Sequence, residues 1–248
     1  MSNSDPFIDP TTISRRRFLQ HMGIAGAATF FGLYNTASFA EMLAATPRLT
    51  EGPFYPNKLP LDTDNDLLVI NDSITPALGE VTHLSGRILT QAGTPVRNAL
   101  IEIWQVDNSG CYIHTGDTNN RAKQDKNFQG YGRFITDSSG AYYFRTIKPV
   151  SYPGRTPHIH VGVSVNGKRV LTTQILVKGE AQNERDGVFR SIRDAQLRDT
   201  LVAEFKPLKD SKIGELTAEF NITLGVTVPD KVEKIKGGIG PSEWGKRR

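Results

Sequence analysis

An all-β fold, an antiparallel β-sandwich with long loops and little helix, is predicted by three observations. From about Arg48 the chain runs in short segments rich in β-branched and aromatic residues, separated by Gly, Pro, Asn and Asp turn signals. Asn166-Gly167 joins two such segments as a hairpin would. Only Phe189–Phe205 looks helical, and it is too short to supply a second layer.

In chain order, "THLSGRILT" (Thr82–Thr90) leads through "QAGTPV" to "RNALIEIWQV" (Arg97–Val106). A long loop, Asp107–Tyr131, follows. "GRFITD" and "GAYYFRTI" are expected to form a hairpin over Asp137-Ser138-Ser139-Gly140. A second loop, "KPVSYPGRTP" (Lys148–Pro157), precedes "HIHVGVSV", which should pair with "KRVLTTQILV". "AEFNITLGV" (Ala218–Val226) makes a last strand. Loops of this length in a compact domain are usually functional or disordered.

The 248 residues suit one domain with a sizeable core, or at most two small ones. A hydrophobic content of 38% and a charged content of 23% fit a globular chain rather than a membrane-embedded or disordered one. A net charge of +4 gives no strong basic field, so nucleic acid is not expected as a partner. Cys111 is the single cysteine, which excludes an intramolecular disulfide. The basic ending, residues 229–248, lacks apolar periodicity and reads as a solvated tail.

At the N-terminus Arg15-Arg16, then Phe18-Leu19 and a Gly/Ala-rich, weakly apolar run, resemble a bacterial twin-arginine (Tat) export signal. Residues 1–40 are assigned to that signal, with cleavage after Ala40 and residues 41–228 as the folded domain. The alternative is an amphipathic anchor or a buried helix. Export would bring in the Tat translocase as a partner and place the product in the periplasm or outside the cell.

His158 and His160 lie two apart on a strand, so both imidazoles share a face while Ile159 and Val161 take the other. On the residues alone this is either a half-exposed strand with solvated histidines or a metal site. Tyr112 and Tyr152 stand in the two long loops, beside Gly or Pro. If they converge on the histidines, two phenolates and two imidazoles form a hard oxygen and nitrogen site suited to ferric iron. If they do not, they are ordinary loop tyrosines. A zinc hydrolase would need a carboxylate or cysteine nearby, and Asp107 and Asp117, the nearby acids, are explained by turn chemistry.

"IEIWQVDNSGCY", "FQGYGRFITDSSGAYYFRTIKPVSYPGRTPHIHVGVS" and "TTQILV" resemble the intradiol ring-cleavage dioxygenases, the protocatechuate 3,4-dioxygenase type most of all. The resemblance runs in order from Leu49 to Val226 and includes "TEGPFYP" (Thr50–Pro56) ahead of the sandwich. It implies one non-haem Fe(III) per chain held by Tyr112, Tyr152, His158 and His160. It implies Tyr152 as the tyrosinate that leaves and accepts a substrate proton, Arg155 as the stabiliser of negative charge on the ring, and Gln174 as a supporting hydrogen-bonding residue. The reaction implied is cleavage of a catechol by O2 between its hydroxyl-bearing carbons to a muconic-type dicarboxylic acid.

Two departures stand out. Gly154 replaces the aromatic often found after "YP", in a loop shorter than usual, and the helical dimerisation segment of catechol and hydroxyquinol dioxygenases is not seen. The sequence therefore speaks to the reaction more than to the substrate, and it leaves a homo-oligomer open. The competing reading from another class is an exported β-sandwich that binds, with a structural or degenerate metal site.

Overall fold

The computed structural model describes residues 42–70 and 75–225. The export signal expected over residues 1–40 and the basic tail expected over 229–248 lie outside the described residues. Among the described residues no helix is long and apolar enough to cross a membrane.

Two five-stranded sheets face each other. The first is built around β1 (Val81–Thr90), which pairs antiparallel with β4 (Ala141–Ile147) along one edge. Along its other edge β1 pairs in parallel with β9 (Leu216–Glu219) and then β10 (Ile222–Leu224), and the two-residue β8 (Lys206–Pro207) extends the sheet beyond β9. The second sheet has the order β3-β2-β5-β6-β7, with β2 (Leu100–Trp104), β3 (Tyr131–Ile135), β5 (His158–Val165), β6 (Lys168–Val177) and β7 (Val202–Ala203). The strand pairs are largely antiparallel; the joins of β1 to β9 and β10 and of β6 to β7 are parallel.

Between the sheets lies one apolar core, to which β1 gives Leu84 and Ile88, β2 gives Ile101 and Ile103, and β5 gives Ile159, Val161 and Val163. Each such side chain, fully removed from water, contributes about 1.5–3 kcal/mol. The other face of β5 is buried as well, so its alternation is chemical rather than one of exposure. There His158, His160 and Gly162 lie beneath loops.

Three expectations need correction. "GRFITD" and "GAYYFRTI" do not pair with each other: β3 joins β2 and β4 joins β1, so the Asp137–Gly140 turn carries the chain from one sheet to the other. The turn itself forms, with Asp137 Oδ1 accepting from the N–H groups of Ser139 and Ala141 at 2.8 and 2.9 Å, but local turn chemistry does not choose a sheet.

The stretch Phe189–Phe205 is not one helix. Asp186 and Asp194 each cap a short one, Gly187–Arg190 and Ala195–Asp199, and Val202-Ala203 then leaves to pair with β6. The last strand is broken at Phe220-Asn221. There Asn221 Oδ1 accepts the Arg87 N–H at 2.8 Å, and the Phe220 carbonyl turns in toward Gly86. A Cβ on Gly86 would sit 1.9 Å from that oxygen, so only glycine fits.

Ahead of the sandwich, residues 43–50 tie the sheets together. Leu43 N donates to Gln91 O, Thr46 N to Thr223 O and Leu49 N to Thr172 O, at 2.8–2.9 Å. That run delivers the segment "TEGPFYP" onto the histidine-bearing face.

Candidate metal centre

Cross-strand register aligns Trp104 of β2, His160 of β5 and Gln174 of β6 in one row, with Glu102, Gly162 and Thr172 in the next row on that face. Trp104 lies parallel to the His160 ring, centroids 4.9 Å apart and planes 6° apart. Tyr112 comes from the first long loop. Asp107 folds that loop by accepting from the N–H groups of Ser109 and Cys111 on one oxygen and from Asp125 N on the other. Asp117 Oδ2 accepts the Tyr112 N–H at 2.7 Å. Both acids therefore do turn work, as expected. No cluster of three or more His, Cys, Asp or Glu among the described residues is placed to hold a metal.

The second loop is tightened by the turn Tyr152-Pro153-Gly154-Arg155. Arg155 N donates to Tyr152 O at 3.0 Å, and Gly154 has φ +82°. Proline followed by a residue at positive φ is the type II pattern. This accounts for Gly154 where an aromatic was expected: the turn brings Tyr152 and Arg155 side by side.

The four residues singled out by sequence come together. Tyr112 Oη stands 2.9 Å from His160 Nε2 and 3.4 Å from His158 Nε2, and the two Nε2 atoms are 3.1 Å apart. The Tyr152 ring lies 5.5 Å, centroid to centroid, from both Tyr112 and His158. Tyr112 and both histidines are buried, while Tyr152 is half-buried at the edge.

The donor set fits a single cation. Atoms bound to one ion at about 2.1 Å, in octahedral or tetrahedral arrangement, stand roughly 3.0–3.4 Å from one another. The Thr156 carbonyl can only accept, so His158 Nδ1 carries the proton of their 2.6 Å hydrogen bond and its Nε2 lone pair faces the centre. His160 Nδ1 is buried without a hydrogen-bond partner among the described residues.

Burial, aided by the Arg155 charge, lowers the His158 pKa to about 4. Burial, then His158 and Arg155, hold His160 well below its ordinary value. Both imidazoles are therefore neutral, as ligation requires. Burial and the neighbouring Tyr152 push the Tyr112 phenol well up, so it ionises here only against a cation.

Around the donors, Gly52 approaches His160, where a Cβ would meet Cε1 at 3.3 Å. Phe54 lies 5.2 Å from Tyr112, and Tyr55 meets Trp104 edge-on at 5.0 Å. Behind them Glu102 Oε1 accepts from the hydroxyls of Tyr55 and Tyr131 at 2.8 and 2.6 Å, and Oε2 takes Arg169 Nη2 at 2.5 Å. Gly162 makes room for that guanidinium, since a Cβ there would sit 2.4 Å from Arg169 Nη1.

Arg155 and Gln174 are joined: Arg155 Nη2 donates to Gln174 Oε1 at 2.6 Å, and Gln174 Nε2 donates to Thr50 O at 2.9 Å. Gln174 is fully buried, not a solvent-facing strand residue. Sequence reasoning missed Asp186, whose Oδ2 accepts from Arg155 Nε at 2.8 Å, and Glu102 with its two tyrosines. Signals existed for both: Asp-Gly before an apolar pair reads as a helix cap, and a glutamate inside "IEIW" is a charge on a strand that should be covered. A cavity of about 440 Å3, lined by Gly154, Thr156, Glu180, Gln182, Arg185 and Asp186 among others, opens beside the Tyr152–Arg155 turn and includes none of the four donors.

A family profile described as dioxygenase matches residues 50–226. The chain is similar to the protocatechuate 3,4-dioxygenase beta chain of Burkholderia cepacia, 38% identical over 59% of this chain and 65% of that one. It is also similar to catechol 1,2-dioxygenase 2 of Acinetobacter lwoffii, 32% identical over 64% of this chain and 63% of that one. The chain thus spans somewhat under two thirds of the length of these curated relatives. Among solved structures, the dioxygenase domain of a dioxygenase carbohydrate-binding fusion from Streptomyces sp. SirexAA-E superposes with a TM-score of 0.57 and 30% identity, over 74% of this chain and 100% of that one.

Proposed function

From the premise that this chain belongs to the intradiol ring-cleavage dioxygenase family, we propose that it cleaves a catechol-type aromatic with O2 between the two hydroxyl-bearing carbons. The product is a muconic-type dicarboxylic acid. The observation that carries the reading is the triangle of Tyr112 Oη, His158 Nε2 and His160 Nε2, with Tyr152 and Arg155 at its edge. Tyr112, Tyr152, His158 and His160 would hold one non-haem ferric ion. When bound, the ion supplies a positive centre that favours ionised phenols and an electron-rich ring open to O2.

The chain's own residues divide the remaining work. Tyr112, buried under Phe54, is the fixed phenolate. Tyr152, half-buried on a loop turn, is the group placed to move and to accept a catechol proton at its Oη. Arg155 stabilises negative charge on the ring as the ring acquires ketone character. Gln174 anchors Arg155 to the Thr50 carbonyl, and the "TEGPFYP" segment covers the site from water. A binding role with a degenerate site has no comparable observation behind it, because all four donors are present and adjacent.

Export belongs to the same proposal. Residues 1–40, with Arg15-Arg16, act as a Tat signal that delivers residues 41–228 to the periplasm already folded, through the Tat translocase. Lysine at both positions should trap the precursor in the cytoplasm.

The test of the activity is metal content, colour and oxygen uptake against a panel of catechols. About one iron per chain, a red-brown colour and ring cleavage are expected. Tyr152→Phe should keep the fold and lose the base, lowering the rate on the order of a hundredfold or more. Tyr112→Phe should weaken iron retention and remove the colour that persists with catechol bound. Colourless protein holding zinc would refute the proposal.

A further inference from the structure

We propose that Asp186 is the positioning residue of Arg155, an inference that rests on the ring-cleavage reading above. Its carboxylate is buried and bridges two elements. Oδ2 accepts from Arg155 Nε at 2.8 Å and from Thr156 N at 3.0 Å, while Oδ1 accepts from Val188 N and Phe189 N, both at 2.9 Å. Each oxygen thus serves one partner element: the loop that carries Tyr152 and Arg155, and the short helix after β6.

A guanidinium has a planar fork of donors, so fixing two of its nitrogens fixes the plane. Asp186 takes Nε and Gln174 takes Nη2 at 2.6 Å. Gln174 is itself fixed by the Thr50 carbonyl, so the two anchors come from separate elements, β6 and the turn that caps the short helix after it. Gln174 is neutral. Asp186 is the only carboxylate on the guanidinium among the described residues, and its bond is the charge-assisted one. Burial would push the Asp186 carboxyl up, but the Phe189 N–H, the Arg155 guanidinium and the Thr156 N–H outweigh it and hold it below its ordinary value. The group is therefore ionised at neutral pH.

Asp186→Asn separates the two roles of this residue. Asparagine caps a helix as well as aspartate does. With its one carbonyl oxygen on Val188 and Phe189, its NH2 faces the N–H groups of Arg155 and Thr156, donor against donor. Asp186→Ser, which keeps a capping oxygen and removes the carboxylate, is the second variant.

The experiment uses iron-loaded protein and the catechol it turns over fastest. In both variants kcat is expected to fall about 10- to 100-fold, the loss of one charge-assisted hydrogen bond, with KM, iron content and colour little changed. Arg155→Ala/Asp186→Asn should be no slower than Arg155→Ala alone, because no guanidinium is then left for Asp186 to position. A readout independent of turnover is the Arg155 Nε–H resonance. In protein loaded with diamagnetic gallium(III) in place of ferric iron, it should be protected from solvent exchange without the substitution and exchange fast in Asp186→Asn. Unchanged kcat, losses that multiply in the double variant, or a loss that tracks iron release would each overturn the proposal. If the unmodified protein takes up no oxygen with any catechol, the proposed function fails, while fast Arg155 Nε–H exchange already in the unmodified protein overturns the Asp186 proposal alone.

Discussion

Glu102→Gln is the substitution that most directly tests how the metal-binding face is held. The glutamate side chain is 8% exposed, and its partner Arg169 is 28% exposed. Glutamine can keep its carbonyl oxygen on the hydroxyls of Tyr55 and Tyr131, now at 2.8 and 2.6 Å from Oε1. Its NH2 then faces the Arg169 guanidinium, and the charge-assisted bond is lost. Breaking a fully buried ion pair costs about 3–5 kcal/mol. Arg169 can turn toward water, so the cost is closer to that of one charge-assisted hydrogen bond, about 1.5–3 kcal/mol.

Part of the change should reach the metal site, because Tyr55 packs on Trp104 and Trp104 on His160. Urea denaturation of metal-free protein measures the first effect, and the rate of iron loss to a chelator measures the second. Pairing the change with Arg169→Met should recover stability, since the only charge then left without its partner is that of the exposed Glu51. A loss below about 0.5 kcal/mol with unchanged iron loss would show that this pair behaves as an exposed one and refute the reasoning.

Gly154→Ala should cost about 1–2 kcal/mol from backbone strain alone, since no atom lies within 4 Å of the added Cβ and φ is +82°. Gly187→Ala, equally open but without a positive φ, should be neutral or slightly stabilising in the same thermal melts. The Asp186 carboxyl is held below its ordinary value in the folded state, so its contribution is fully present above about pH 4 and is lost as pH falls through the depressed folded value. Melting temperatures taken down the acid limb should therefore drop less steeply in Asp186→Asn than in the unmodified protein.

Much of this was legible in the residues. Asn166-Gly167 specifies the β5–β6 hairpin because its φ values of +50° and +72° suit few other pairs. The His158–His160 spacing specifies a shared face for the reason every strand does. What was not legible depended on distant partners. Asp137–Gly140 encodes a turn, and nothing local says that its two arms enter different sheets. Asp186 could be read as a cap, but its hold on Arg155 spans 31 residues of chain and exists only once the loop after β6 folds back. Glu102 likewise waits for Tyr55, 47 residues earlier, to be covered.

The parallel pairing of β1 with β9 and β10 also bears on how the protein is made. An edge of β1, the first described strand in chain order, is completed by the last described strands, within Leu216–Leu224. Until they emerge, that edge of β1 offers unsatisfied backbone groups beside apolar side chains, a template for pairing with another chain. A premature stop before Leu216 should yield insoluble product even though every donor residue of the metal centre has already been synthesised. For the same reason, native structure at the metal site should arise only after Leu216–Leu224 has been synthesised.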